Sequence, residues 1–160
     1  MKRLVAIIVA TFLLTMGAVI PSNATDERHP GGLSDYGAES VADLTTCLQT
    51  ADSLDVFYLV DRSESLRVTD ENKERASIIE QDVRRWGDIG TLRPGLRIRV
   101  AGAFFSQTTS ELSDWVTIDG QNSGSVAKQF RDRIKNEPLQ NYTNWEAGLQ
   151  AAFNKVSKTN

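Results

Sequence analysis

"LDVFYLVDRSESLR", residues 54–67, joins two kinds of chemistry. Leu54 to Val60 is almost continuously apolar, interrupted only by Asp55. A run apolar on both faces suits a central strand of a parallel sheet, which helices cover above and below. Asp61, Ser63 and Ser65 then place three oxygen-bearing side chains on alternate residues. In an open α/β sheet, ligands bind outside the carboxyl ends of such strands.

Working outward, the pattern stays regular. Ala76, Ile79, Val83 and Trp86 recur at spacings of three and four, which predicts a helix over about 69–86 with Gly87 as its stop. "GLRIRVAGAFF" (residues 95–105) reads as a second strand, reached by a helical crossover and hence parallel to the first. A third strand is predicted over about 115–118. The preceding "SQTTSELSD" is too short for a parallel crossover, so this strand is expected as an antiparallel edge. Val126, Phe130 and Ile134 predict a helix over about 125–135, and Leu149, Ala152, Phe153 and Val156 another over about 144–155.

The 160 residues suffice for one domain. Lys2 and Arg3, the apolar run Leu4–Ile20 and the small residues before Thr25 read as an export signal over 1–24. An uncleaved anchor helix is the alternative, for which the run is slightly short. Residues 25–53 read as a linker or N-terminal extension, with a short helix over about 41–51, and 54–160 as the domain proper. Loss of Lys2 and Arg3 takes the 18 basic residues to 16 against 21 acidic ones, a formal charge of −5. That balance argues against a nucleic-acid partner, and no membrane span is expected after signal cleavage. Cys47 is the sole cysteine, so it is either a buried inert thiol or one lacking its partner.

Asp61, Ser63 and Ser65 make a poor nucleophilic site, because the only histidine, His29, lies in the lead-in. They make a reasonable hard-oxygen set for Mg²⁺, which takes few protein ligands and keeps waters. Helix capping by Ser or Asp explains the same five residues. A second segment, "NYTNWEAGLQAAF" (141–153), places Thr143 just before an amphipathic helix that contains Gly148. Together, the strand ending in Asp-x-Ser-x-Ser, the hairpin and this later helix resemble the von Willebrand factor type A domain over about 54–156. The resemblance implies an α/β, Rossmann-like open sheet with flanking helices. It also implies a metal-ion-dependent adhesion site. Asp61 would hold the ion, often through water, Ser63 and Ser65 would ligate it directly, and Thr143 would contribute from the second loop. Mg²⁺ is the implied cofactor, with Mn²⁺ or Ca²⁺ as substitutes.

Departures from the pattern are visible. Glu64 stands where the family usually has Gly, and Arg62 occupies a variable position. The family's fourth strand, ending in Thr-Asp-Gly, has no counterpart; Asp119-Gly120 ends the predicted hairpin instead. The fold is therefore expected to be truncated before the fourth strand, leaving residues 54–60 as an open apolar edge, as in the N-terminal part of a longer protein. Asn141-Tyr142-Thr143 matches a glycosylation sequon, and a glycan there would crowd the ion. The function implied is a secreted or cell-surface binding module of the bacterial surface or pilus-tip type, not an enzyme. Its partner would be a protein or matrix component presenting Asp or Glu, with other surface or pilus subunits as further candidates. The alternative is a structural module whose metal site is never filled.

Overall fold

Ser53–Asp61 forms the strand that the apolar run predicts, buried at every position until Asp61. The computed structural model describes residues 3–10 and 34–158. In chain order its elements are β1 (Arg3–Ala10), α1 (Asp35–Thr50), β2 (Ser53–Asp61), the short turn α2 (Leu66–Thr69) and α3 (Glu74–Leu92). They continue with β3 (Arg97–Phe105), β4 (Thr109–Ile118), α4 (Ser123–Asn136) and α5 (Trp145–Ser157). The sheet runs β1-β2-β3-β4. β2 and β3 are parallel, from Ser53 opposite Arg97 to Asp61 opposite Phe105. β4 returns antiparallel to β3, with an irregularity around Gly102. The fold class is thus the expected one: an α/β open sheet with flanking helices.

Alternation along the strands sorts the core into two layers. Leu54, Val56, Tyr58 and Val60 of β2, with Ile98, Val100 and Phe104 of β3, meet Ala76, Ile79 and Val83 of α3 and Val126, Phe130 and Ile134 of α4. Tyr58 packs edge-on against Phe130, with centroids 5.8 Å apart, and donates to Asp82 at 2.9 Å. Burial first, and the Asp82 carboxylate second, keep this phenol protonated well above its usual range. The opposite face carries Phe57, Leu59, Ala101, Ala103 and Phe105, on which α5 sets Ala152. There Asp55 is matched by its cross-strand neighbour: Arg99 donates to it through Nε at 2.7 Å and through a second nitrogen at 2.5 Å. A buried carboxylate in a strand is tolerable because this bidentate pair satisfies it.

Several expectations are corrected. Gly87 does not stop the helix, which runs on to Leu92. A Cβ at Gly87 would come 2.2 Å from the Ser123 Cβ, so the glycine serves the crossing of α3 over the start of α4. Most of "SQTTSELSD" is strand rather than connection, because β4 begins at Thr109. Between Thr109 and Thr117 this edge strand is exposed or half-buried at every position but Leu112. The helix expected over 41–51 begins earlier, at Asp35, with Ser34 accepting from the Gly37 N–H. Cys47 on this helix is exposed rather than buried. Leu149 and Phe153, predicted on the covered face of the last helix, are 50% and 63% exposed.

The edge of β2 is not open. β1 pairs with it in parallel, from Arg3 opposite Ser53 to Ala10 opposite Val60. A buried apolar strand carries N–H and C=O groups that need partners, and β1 provides them. β1 lies within the expected signal, whose cut near Thr25 falls outside the described residues; the full chain closes this edge, and removal of the signal would reopen it. Among the described residues no helix is long and apolar enough to cross a membrane.

Candidate functional site

Where β2 ends, the chain curls and brings its polar side chains together. Asp61 Oδ1 accepts the Ser63 backbone N–H at 2.7 Å, and Asp61 Oδ2 accepts the Ser63 hydroxyl at 3.0 Å. The Ser63 and Ser65 hydroxyl oxygens also lie 3.0 Å apart. Ser63 is buried, Asp61 half-buried and Ser65 exposed, so the cluster opens to solvent on one side.

Helix capping does not account for this arrangement. Ser65 precedes α2, yet its side chain makes no capping hydrogen bond. Thr143 does not cap α5 either: Asn144 does, accepting the Ala147 N–H at 3.0 Å. Both motifs are left with oxygens that helix formation does not use.

The distances suit a small hard cation. Mg²⁺ binds oxygen at 2.0–2.1 Å in an octahedron, so neighbouring ligands sit about 2.9 Å apart. The two 3.0 Å separations around Ser63 fit adjacent corners of such a polyhedron. The residues present therefore fit the ion that the family resemblance implies, with one carboxylate and neutral hydroxyls as donors. Among the described residues, no group of three or more His, Cys, Asp or Glu side chains is gathered to hold a metal, at this cluster or elsewhere.

The second loop comes to the same end of the sheet. Arg62 accepts the Gln140 N–H at 2.8 Å, giving a short parallel pairing of Ser63 with Gln140. The Asn144 N–H donates to the Ser106 carbonyl at 2.8 Å, just past the end of β3. Thr143 therefore lies on the rim that carries Asp61, exposed, with no hydrogen bond from its side chain to the three-residue cluster. Gly148 lets α5 approach closely, since a Cβ there would sit 2.9 Å from the Phe105 ring. Trp145 packs at a tilt against the same ring, with centroids 4.7 Å apart and an interplanar angle of 50°.

Glu64, the residue in place of glycine, is exposed and turned to Arg67 at 3.0 Å. Arg62, which looked uninformative in the sequence, is 5% exposed. It pairs with Glu137, and its other terminal nitrogen lies 3.4 Å from the Thr108 hydroxyl. Its partner is 75 residues away in the chain, which no local pattern reveals. Ser106 and Gln140 were missed likewise; the Ser106 hydroxyl donates to Gln140 Oε1 at 2.7 Å.

Comparison with known proteins is sparse. No protein-family model matches the chain, and no curated protein matches it. Among solved structures it is similar to the vWF domain of the type V pili tip protein Mfa5 from Porphyromonas gingivalis. Identity is 21%, the match covers 64% of this chain and 32% of that one, and the TM-score is 0.47. A structure of three N-terminal domains of the same protein matches at 21% identity over 65% of this chain and 17% of that one, with a TM-score of 0.46. The chain thus spans about a third of the shorter of the two structures. The β2–β3 crossover and the antiparallel edge β4 agree with the von Willebrand factor type A arrangement that the sequence resemblance implies, whereas β1 occupies the side of β2 where that resemblance expects an open edge.

Proposed function

We propose that this chain carries a metal-dependent adhesion module of an exported surface or pilus protein. In this reading Asp61, Ser63, Ser65 and Thr143 hold one divalent cation, Mg²⁺ in the first place. The observation that carries it is the convergence of the Asp61, Ser63 and Ser65 oxygens at ligand-to-ligand spacing on the carboxyl rim of a central strand. Once bound, the ion supplies a net positive charge to which a partner's Asp or Glu carboxylate can bind. Two of the three clustered side chains are neutral, so they do not cancel that charge. Asp61 anchors the set, its Oδ1 fixed by the Ser63 N–H, and the buried Ser63 holds the middle corner.

Binding is favoured over catalysis by the hydrogen bonds themselves. The Ser63 hydroxyl is engaged by Asp61 and Ser65, and among the described residues no imidazole or amine bonds to it to activate it as a nucleophile. A second reading, a structural module whose site stays empty, is favoured by the single carboxylate in the cluster. Calorimetric titration of the chain with Mg²⁺ separates the two. Metal binding predicts saturable heat that Asp61→Ala abolishes and EDTA reverses. Absence of heat at millimolar Mg²⁺ supports the structural module and removes the adhesion mechanism.

A further inference from the structure

We propose that Arg62, Gln140 and Ser106 form a clamp, buried at Arg62 and Ser106 and half-buried at Gln140, that sets the position of the Thr143 loop against the Asp61 loop. Arg62 is the positioning residue at its centre. The inference rests on the metal reading for its functional meaning, but the clamp itself is a structural feature that can be tested without an ion.

Arg62 sits between two of the candidate ligands and is tied through its backbone N–H, its carbonyl and both terminal guanidinium nitrogens, while its Nε is buried without a partner. Its N–H donates to the Phe105 carbonyl at 2.9 Å, tying the Asp61 loop to the end of β3. Its carbonyl receives the Gln140 N–H at 2.8 Å, tying it to the segment that leads to Thr143. The guanidinium reaches under both loops to Glu137, just past the end of α4, and to Thr108 in the β3–β4 turn. A guanidinium removed from water is costly unless it is paired, so this placement is specific to the fold that provides Glu137.

Gln140 and Ser106 close the other side. The fully buried Ser106 donates its hydroxyl to Gln140 Oε1 at 2.7 Å and offers its carbonyl to the Asn144 N–H at 2.8 Å. The four-residue step from Gln140 to Asn144 is therefore pinned at both ends. Tyr142, within it, adopts the left-handed conformation at φ 66°. A bulky residue seldom takes that region unless its surroundings impose it, and here the two anchored ends do so. Thr143 follows directly. Its hydroxyl is thus placed by the anchors on either side, with no contact of its own to the Asp61 cluster.

The test uses the full chain and three variants: Arg62→Met, Arg62→Lys and Gln140→Ala. Each is checked for folding by thermal unfolding, and each is read by amide hydrogen exchange at Gln140 and Asn144 and by Mg²⁺ titration. Gln140→Ala removes only the side-chain acceptor, so it keeps the test open if Arg62→Met does not fold. The clamp predicts at least tenfold faster exchange at both amides in Arg62→Met and Gln140→Ala, with partial recovery in Arg62→Lys. It also predicts at least tenfold weaker Mg²⁺ binding in the first two. Unchanged exchange in folded Gln140→Ala overturns the clamp. Faster exchange with unchanged Mg²⁺ affinity overturns its positioning role. If the parent chain itself binds no Mg²⁺, the metal reading fails, and exchange alone decides the clamp.

Discussion

The two faces of the sheet are built to different standards. On one, α3 and α4 bury a continuous apolar layer in which Leu54, Val56, Tyr58, Ile79, Ile98 and Ile134 are almost wholly inaccessible. On the other, the one helix that packs on the strands among the described residues is α5, through the small residues Gly148 and Ala152 with Val156 and the Trp145 ring beside them. Leu149 and Phe153 on that helix are turned outward. The thinner face also holds the buried Asp55–Arg99 pair and a shallow depression lined by Phe57, Ala103 and Ala151. Lys155 reaches Glu111 at 2.9 Å beside it. Stability is concentrated on the first face, while the candidate site sits at the rim of the second, where one helix and its preceding loop decide the geometry.

The sharpest way to break this comparison is to remove equivalent bulk from each side. Ile79→Ala deletes a packed side chain between α3 and the sheet and is expected to cost about 2–5 kcal/mol. Phe153→Ser removes more atoms from α5 but should stay within about 0.5 kcal/mol, as surface changes usually do. Urea denaturation measures both, and equal losses would contradict the asymmetry. Next in size is Gly148→Ala. The added methyl meets the Phe105 ring, and an overpacked contact of this kind costs about 1–3 kcal/mol. Because α5 follows the Thr143 loop directly, this variant should also weaken any Mg²⁺ binding, whereas Ile79→Ala should lower stability and leave the affinity of the folded fraction unchanged.

The smallest expected effect is a pH dependence on the first face. Glu80 lies between Arg84 at 2.9 Å and Arg131 at 3.1 Å, and links α3 to α4. The Arg84 hydrogen bond foremost, aided by Arg131, holds its carboxyl below the ordinary 4.5. The folded state therefore binds this proton less readily than the unfolded chain. Its stabilising contribution is complete above pH 4.5 and is lost as pH falls through the lower folded value. Glu80→Gln should show a shallower fall in stability between pH 5 and pH 3, measured as urea midpoints across that range. Identical acid limbs would show that the bridge contributes nothing.

What could be read from sequence follows the range of the interactions involved. β2 and β3 announce themselves because burial on both faces leaves an apolar run that needs no partner to be recognised. The spacing of Ala76, Ile79 and Val83 likewise writes the buried stripe of α3 into the chain. Gly87 was misread as a stop because its purpose is contact with Ser123, 36 positions on. β4 was cut short because an edge strand exposed or half-buried at all positions but Leu112 and Ile118 lacks the alternation that marks burial. At the candidate site, the alternate oxygens of Asp61, Ser63 and Ser65 are visible in the sequence, and the bonds of Gln140 and Asn144 bring the Thr143 loop to the same end of the sheet. Capping could not be excluded from sequence, since its exclusion depends on where each hydroxyl points. Arg62 was passed over because its significance lies in a partner from another loop.

The pairing of β1 with β2 carries a consequence for any protease acting on this protein. The two strands are parallel, so the polypeptide must travel from the finish of the eight-residue β1 back to the outset of β2. A cut along that return path would turn β1 into a separate peptide, joined to β2 by the parallel backbone ladder and no longer by covalent chain. Scission would then convert a covalent part of the sheet into an exchangeable ligand.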